Sequence, residues 1–308
     1  MTQTERDIEA ASSIIEGKMV KDPYQKIYRT QTKNSRELFK NLSSHWENSL
    51  FIGGSADQFL NAILYGSRNL TIVDSNPLAI HYILLKLASL QQLNNKGFLA
   101  FTSWNLKEDL DLQQLLNQLE SLLDKNYPYF QGNPVQFWRA LFTNYSREEI
   151  AQNLFYDESI EYENCYVKEA MRFRNPYLEK RFFSYLKKVL PLANIQIINQ
   201  DIQAIDTIYN LPPLDKVYLS NILLDMNLSL EAYQRFLCEK IYPLLSFNGE
   251  AVVAYLDFSH TYGADLNSLG TIDQIIDFFT EQGCRSELLL EPNIQNQIHV
   301  AFVYQKKR

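Results

Sequence analysis

The sequence predicts an α/β fold. The expected architecture is a mostly parallel sheet with an antiparallel edge hairpin, a helical insertion and an N-terminal helical lead-in. Three observations predict it. First, SLFIGG (49–54) with ADQFLNAILYG (56–66), then NLTIVD (69–74) with SNPLAIHYILLKLASLQQL (75–93), set strand, helix, strand and helix within about 45 residues. That is the βαβ grammar of a parallel sheet. Second, the same grammar resumes after residue 194. Third, the chain ends in two apolar runs, SELLLE (286–291) and QIHVAFVYQ (297–305), spaced as an antiparallel edge hairpin would be.

Residues 1–47 are polar and helix-prone. In the stretch 24–46, Tyr24, Ile27, Tyr28, Leu38, Phe39, Leu42 and Trp46 have the spacing of an amphipathic helix broken near 30–34. This lead-in, or lid, is expected to pack on the first half of the ligand-binding domain, 48–93. Gly66 is a plausible C-cap for the first helix. Ser75 or Asn76 caps the second, with Pro77 in its first turn. Residues 94–174 form the insertion, with helical stretches at 106–125, 133–142 and 146–155 and no strand. The second half spans 175–308. NPYLEKRFFSYLKKVLPL (175–192) suits one helix, capped by Asn175 with Pro176 at its first position. Strands follow at 195–199, 216–220 and 249–256, with helices at 229–245 and 269–283.

The 308 residues carry a formal charge of −7, which argues against nucleic acid as partner. Cys165, Cys238 and Cys284 lack metal or redox spacing, and His45, His81, His260 and His299 stand far apart, so no metal is expected. No apolar run approaches the ~20 residues of a membrane span. The polar start lacks a signal-peptide core. The expectation is a cytoplasmic protein, with peripheral membrane contact left open. The 19 Tyr and 18 Phe suit a lined pocket or lipid-facing groove as well as a core.

Polar residues gather at the expected strand ends. After the first strand, Gly53, Gly54 and Ser55 open a helix at once. Glycine lets backbone approach a ligand closely, and the helix start offers free N–H groups. The full G-x-G-x-x-G pattern of dinucleotide sites is absent. Asp74 ends the next strand about 20 residues on, where nucleotide-binding units place an acceptor for ribose hydroxyls; Ser75 and Asn76 flank it. In IINQDI (197–202), Asp201 and Ile202 sit where S-adenosylmethionine domains meet the adenine amino group and pack on the ring. After the fourth strand, Ser220, Asn221 and Asp225 face the transferable group, and the apolar setting of Asp225 suits a base. Together these predict a Rossmann-like sheet of the class I methyltransferase type with S-adenosylmethionine as co-substrate.

The stretch 51–93 also resembles the betaine-lipid synthase family, S-adenosylmethionine:diacylglycerol 3-amino-3-carboxypropyltransferases. Asp57 and Gln58 stand where that family has an Asp-Asn pair, and Asp74, Asn76 and Pro77 match its VDxNP-like strand end. RNPYLEKRFF (174–183), the pair Gln200 and Asp201, and LSNILLDM (219–226) resemble its NPYL, GD and LSDIFEYM patterns in order. The chain departs in a shorter insertion and in Asn221, which replaces the acidic residue of LSDI. These departures bear on the acceptor more than on the cofactor.

The resemblance implies transfer of the 3-amino-3-carboxypropyl group to a hydroxyl or amine of a small molecule or lipid, releasing methylthioadenosine. Tyr28, Arg29, Arg174 and Tyr177 are candidate donors to the carboxylate of the transferred arm. Tyr28 also counts, with Asp225 and His260, among the catalytic candidates, His260 as a base after the fifth strand. Closure of the arm into a small ring would use the same geometry. Ordinary methyl transfer shares every cofactor residue, and a non-catalytic cofactor-binding protein is a third reading.

Overall fold

The computed structural model describes all residues except 30–34, 43–45, 103–110, 124–129, 157–171, 209–210, 220–221, 223–227, 258–271, 291–297 and 308. Its strands are β1 (Asn48–Ile52), β2 (Asn69–Asp74), β3 (Asn194–Asn199), β4 (Leu214–Tyr218), β5 (Leu245–Asp257), β6 (Arg285–Leu290) and β7 (Ile298–Gln305). They form one sheet in the order β3-β2-β1-β4-β5-β7-β6. β1 to β5 run parallel, and β7 lies antiparallel between β5 and β6. The strand order reverses between β1 and β4, and open α/β sheets bind ligands beyond the carboxyl ends of strands at such a switch.

Alternation along each strand fills both faces. Phe51, Ile72, Ile197 and Tyr218 join one apolar cluster, while Leu50, Val73, Ile198 and Val217 join the other. The first face is covered by these helices, all of which precede β3: α1 (Gln3–Ile15), α2 (Ser35–Asn41), α3 (Asp57–Leu64), α4 (Pro77–Gln92), α5 (Asn95–Thr102), α6 (Leu112–Leu123), α7 (Pro134–Asn144), α8 (Arg147–Asn153) and α9 (Lys180–Val189). The second face carries α10 (Leu230–Phe236) and α11 (Ile272–Glu281).

Helix α4 is the hub of the first face. Asn76 caps it by accepting from the Leu78 N–H, and Pro77 needs no N–H at that position. Every residue from 77 to 90 is buried. A helix apolar all round is one enclosed on all sides, and α1, α6 and α7 pack around this one.

The structure corrects three sequence expectations and describes a fourth only in part. The lead-in is helical at α1, where Thr2 and Glu5 form a capping box, and at α2, but residues 24–29 are not helical and pair through a single bridge at Ile27. Ile27 and Arg29 turn inward there and Tyr28 outward. The Ile27 N–H donates to the Leu154 carbonyl and the Ile27 carbonyl accepts from the Tyr156 N–H, so pairing wins over helical spacing. The stretch 175–192 is not one helix. A 3-10 turn at Pro176–Leu178 precedes α9, because the Asn175 side chain accepts from Asn61 instead of capping. The helix expected at 229–245 narrows to α10, then widens into a π turn at Leu237–Ile241 and ends in a 3-10 turn around Pro243. The helix expected at 106–125 is described only as α6.

Candidate functional site

The site is built at the carboxyl ends of β1, β2 and β3. Between β1 and α3 the chain turns through Gly53, Gly54, Ser55 and Ala56. Two of these have left-handed backbone: Gly54 at φ +48 and Ala56 at φ +73. For alanine that conformation costs ~1–2 kcal/mol. It persists only when neighbours over-determine it. Gly53 has no room for a side chain, since a Cβ would lie 2.9 Å from the Asp74 Oδ2 and from the Ile83 Cδ1. A Cβ on Gly54 would instead meet open space. The turn is therefore packed below against Asp74 and open above.

Asp74 is fixed by backbone. Its Oδ2 accepts from the Gly54 N–H at 2.8 Å and its Oδ1 from the Asn76 N–H at 2.9 Å. Ser75 is exposed beside it. The Asn76 side chain donates to the Gln25 carbonyl at 3.0 Å, bringing the lead-in to the mouth of α4. From β3, the Asn199 side chain donates to the Asp74 carbonyl at 2.9 Å, tying the two strand ends together. Asp201 is exposed, accepts the Gln203 N–H at 2.9 Å, and opens a short 3-10 helix whose first residue, Ile202, is buried.

Asp57 and Tyr177, expected to touch a ligand, lie at the centre of a buried network. Both are fully buried. Asp57 accepts from the Ser55 hydroxyl at 2.6 Å, from the Lys86 ammonium at 2.7 Å, and from the Tyr177 hydroxyl. Lys86 also donates to the Ser55 carbonyl at 2.7 Å and the Arg29 carbonyl at 3.0 Å. Asn61 donates to Asn175 at 3.0 Å and accepts from the Tyr177 N–H, which fastens residues 175–177 onto α3. Asp57, Ser55 and Tyr177 thus brace the glycine turn from within. Sequence reasoning missed Lys86 and Asn61. The signal for Lys86 was its helix: a lysine on a helix apolar all round must be buried and paired.

Arg29 and Arg174 are almost fully buried on this face, Arg29 with its guanidinium 5.8 Å from the Phe155 ring centre. Tyr28 is half exposed and stacks on Tyr156, centroids 4.6 Å apart. Ser220, Asp225 and His260 lie outside the described residues, so the structure brings together the turn, Asp74 and Asp201 but says nothing of the expected base. Among the described residues, no group of His, Cys, Asp and Glu could hold a metal ion, and no helix is long and apolar enough to cross a membrane.

The seven-stranded order with an antiparallel β7 is the Rossmann-like class I methyltransferase sheet. No family model matches the chain, and no curated protein does. Solved structures give weak likenesses. An N-methyltransferase, NodS from Bradyrhizobium japonicum, is 11% identical with TM-score 0.39, covering 89% of this chain and 94% of that chain. The rRNA methyltransferase aviRa from Streptomyces viridochromogenes is 10% identical with TM-score 0.39, covering 98% and 92%. Precorrin-6y C5,15-methyltransferase from Geobacter metallireducens is 10% identical with TM-score 0.34, covering 93% and 95%. All three scores are low, and the strand order itself carries the fold.

Proposed function

We propose that this chain binds S-adenosylmethionine at the carboxyl edge of β1 to β3 and transfers a group from it. The observation that carries this reading is the fit of Gly53 and Gly54 to Asp74. A carboxylate at the end of β2 is held by two backbone N–H groups and lies against a glycine turn that is open at Gly54. In this reading Asp74 accepts from the ribose hydroxyls, Asp201 from the adenine amino group, and Ile202 packs on the ring. Ser75 and Asn76 border the ribose. Arg29 and Arg174 supply positive charge for the amino-acid carboxylate. The sulfonium, when bound, supplies an activated carbon; the chain's task is to align an acceptor with that carbon and exclude water.

The sequence resemblance supports transfer of the 3-amino-3-carboxypropyl group to a hydroxyl or amine of a small molecule or lipid. Asp225 and His260 are then the candidates for the base that a hydroxyl acceptor requires. Methyl transfer is the second reading, favoured by the strand order, which methyltransferases share.

The deciding assay incubates the protein with S-adenosylmethionine and fractionated acceptors, small molecules, lipids and RNA, and identifies the adenosine by-product. Methylthioadenosine is expected. S-adenosylhomocysteine would establish methyl transfer instead. Binding without either product would make the protein non-catalytic, and no binding would overturn the whole reading. Asp74→Ala should weaken affinity for S-adenosylhomocysteine by about 1–3 kcal/mol, the worth of lost hydrogen bonds to a charged group. Unchanged affinity would remove Asp74 from the site.

A further inference from the structure

We infer that Lys86 is a positioning residue that joins the lead-in strand at residues 25–29 and the glycine turn into one mechanical unit, so that a ligand held on the turn also fixes the strand. The inference rests on the proposed binding of an S-adenosyl compound at that turn.

Lys86 sits on α4 with its side chain fully buried. An ammonium has three donors, and the structure gives it three oxygens from two parts of the chain. The Ser55 carbonyl and the Asp57 carboxylate belong to the turn, and the Arg29 carbonyl belongs to the lead-in. The same helix fastens the strand at two further points. Tyr82 donates its hydroxyl to the Arg29 carbonyl at 2.9 Å, and Asn76 reaches the Gln25 carbonyl at 3.0 Å. Lys86 touches both the strand and the turn. Without it, the Ser55 carbonyl and the Asp57 carboxylate lose the Lys86 ammonium, and the left-handed backbone at Gly54 and Ala56 loses one of the ties that hold Ser55 between them. The turn could then relax away from the geometry that lets backbone meet the ligand, and the strand would no longer sense it.

The test uses the full chain, with S-adenosylhomocysteine as probe, at temperatures well below the Tm of each variant. Affinity is measured by calorimetry and strand docking by tryptic cleavage after Lys26 and Arg29. In the unaltered protein, saturating S-adenosylhomocysteine should slow that cleavage. Lys86→Met should bind roughly tenfold or more weakly, as for lost charged hydrogen bonds. Its strand should be cut at the unliganded rate even at saturation. Tyr82→Phe, which removes a donor to Arg29 but leaves Lys86 in place, should keep affinity and protection. Where Lys86→Met does not fold, Lys86→Gln, which keeps amide donors but no charge, serves the same measurements.

A Lys86 variant with unaltered affinity, or with protection retained at saturation, would reduce Lys86 to a stability role and overturn the inference. So would a Tyr82→Phe protein as impaired as the lysine variants, since the coupling would then run through the Arg29 carbonyl alone. Failure of the unaltered protein to bind S-adenosylhomocysteine is a separate outcome: it removes the reading of the site, and this inference with it.

Discussion

The two faces of the sheet bury very different chemistry. Beneath α1 to α9 the core contains pairs of acidic and basic side chains. Lys86 meets Asp57, His81 meets Asp7 at 2.9 Å, and Lys216 meets Glu250 at 2.7 Å beneath Trp46. Beneath α10 and α11 the cluster is aliphatic and aromatic, with Phe279 stacked on Phe302 at 4.6 Å. Both clusters exclude water, and these three acid–base pairs lie on the first face. The polar face is the one that braces the glycine turn and the lead-in. Stability on that side therefore depends on pairing, and on the other side on filled volume.

The largest expected effect separates these two mechanisms. Asp57→Ala leaves Lys86 buried without its carboxylate and should cost about 3–5 kcal/mol in urea unfolding. Phe279→Ala leaves a cavity and should cost a similar ~3–5 kcal/mol. The second substitutions diverge. Adding Lys86→Met to Asp57→Leu removes both charges and should return most of the stability, because a well-packed apolar pair can replace a buried ion pair. Adding Phe302→Ala to Phe279→Ala should lower stability further. A charge-free double variant no more stable than Asp57→Ala would show that the first face also depends on packed volume, and the contrast would dissolve.

A smaller effect concerns pH. His81 is fully buried, its ring stacked on Phe137 at 3.9 Å. Burial pushes its pKa below the ordinary value, and the contact with Asp7 opposes that shift only in part. The unfolded chain thus takes up a proton near pH 6.5 that the folded chain resists. Because the unfolded state binds more protons, stability rises with pH through this window and falls as pH drops below it. The expected slope is at most about 1.4 kcal/mol per pH unit for one proton. Urea titrations from pH 7.5 to 5.5 should show it, and His81→Gln should flatten it. An equal slope in that variant would place the titrating group elsewhere.

The contrast between the faces also explains what the sequence disclosed. β2 falls at Asn69–Asp74 as expected, and of the two caps expected for α4, Ser75 or Asn76, the structure uses Asn76 with Pro77 following. These are local signals, set by residues within one turn of each other. Strand β3, expected at 195–199, was legible for the same reason. The polar first face was not, because its pairs join residues far apart in the chain: Asp57 with Tyr177, Lys86 with Arg29, His81 with Asp7. Local spacing cannot show that Asp57 turns inward to brace the loop, so it was read as a ligand contact. The non-helical form of residues 24–29 has the same origin, since Ile27 pairs with Phe155, far along the chain.

The smallest expected effect needs only a thiol reagent, and it asks whether the faces move together. Cys284 is buried on the second face, and burial pushes its thiol up to about 11. At pH 8 roughly one molecule in a thousand then carries the reactive thiolate. Cys238 is exposed. Iodoacetamide with peptide mapping should find Cys238 labelled quickly and Cys284 labelled only as fast as the second face opens. Asp57→Ala should leave the Cys284 rate unchanged if the polar face can loosen locally, since sub-global openings follow contiguous packed units. A Cys284 rate that rises in step with the loss of stability would mean the sheet transmits the defect, and that the two chemically distinct faces unfold as one cooperative body.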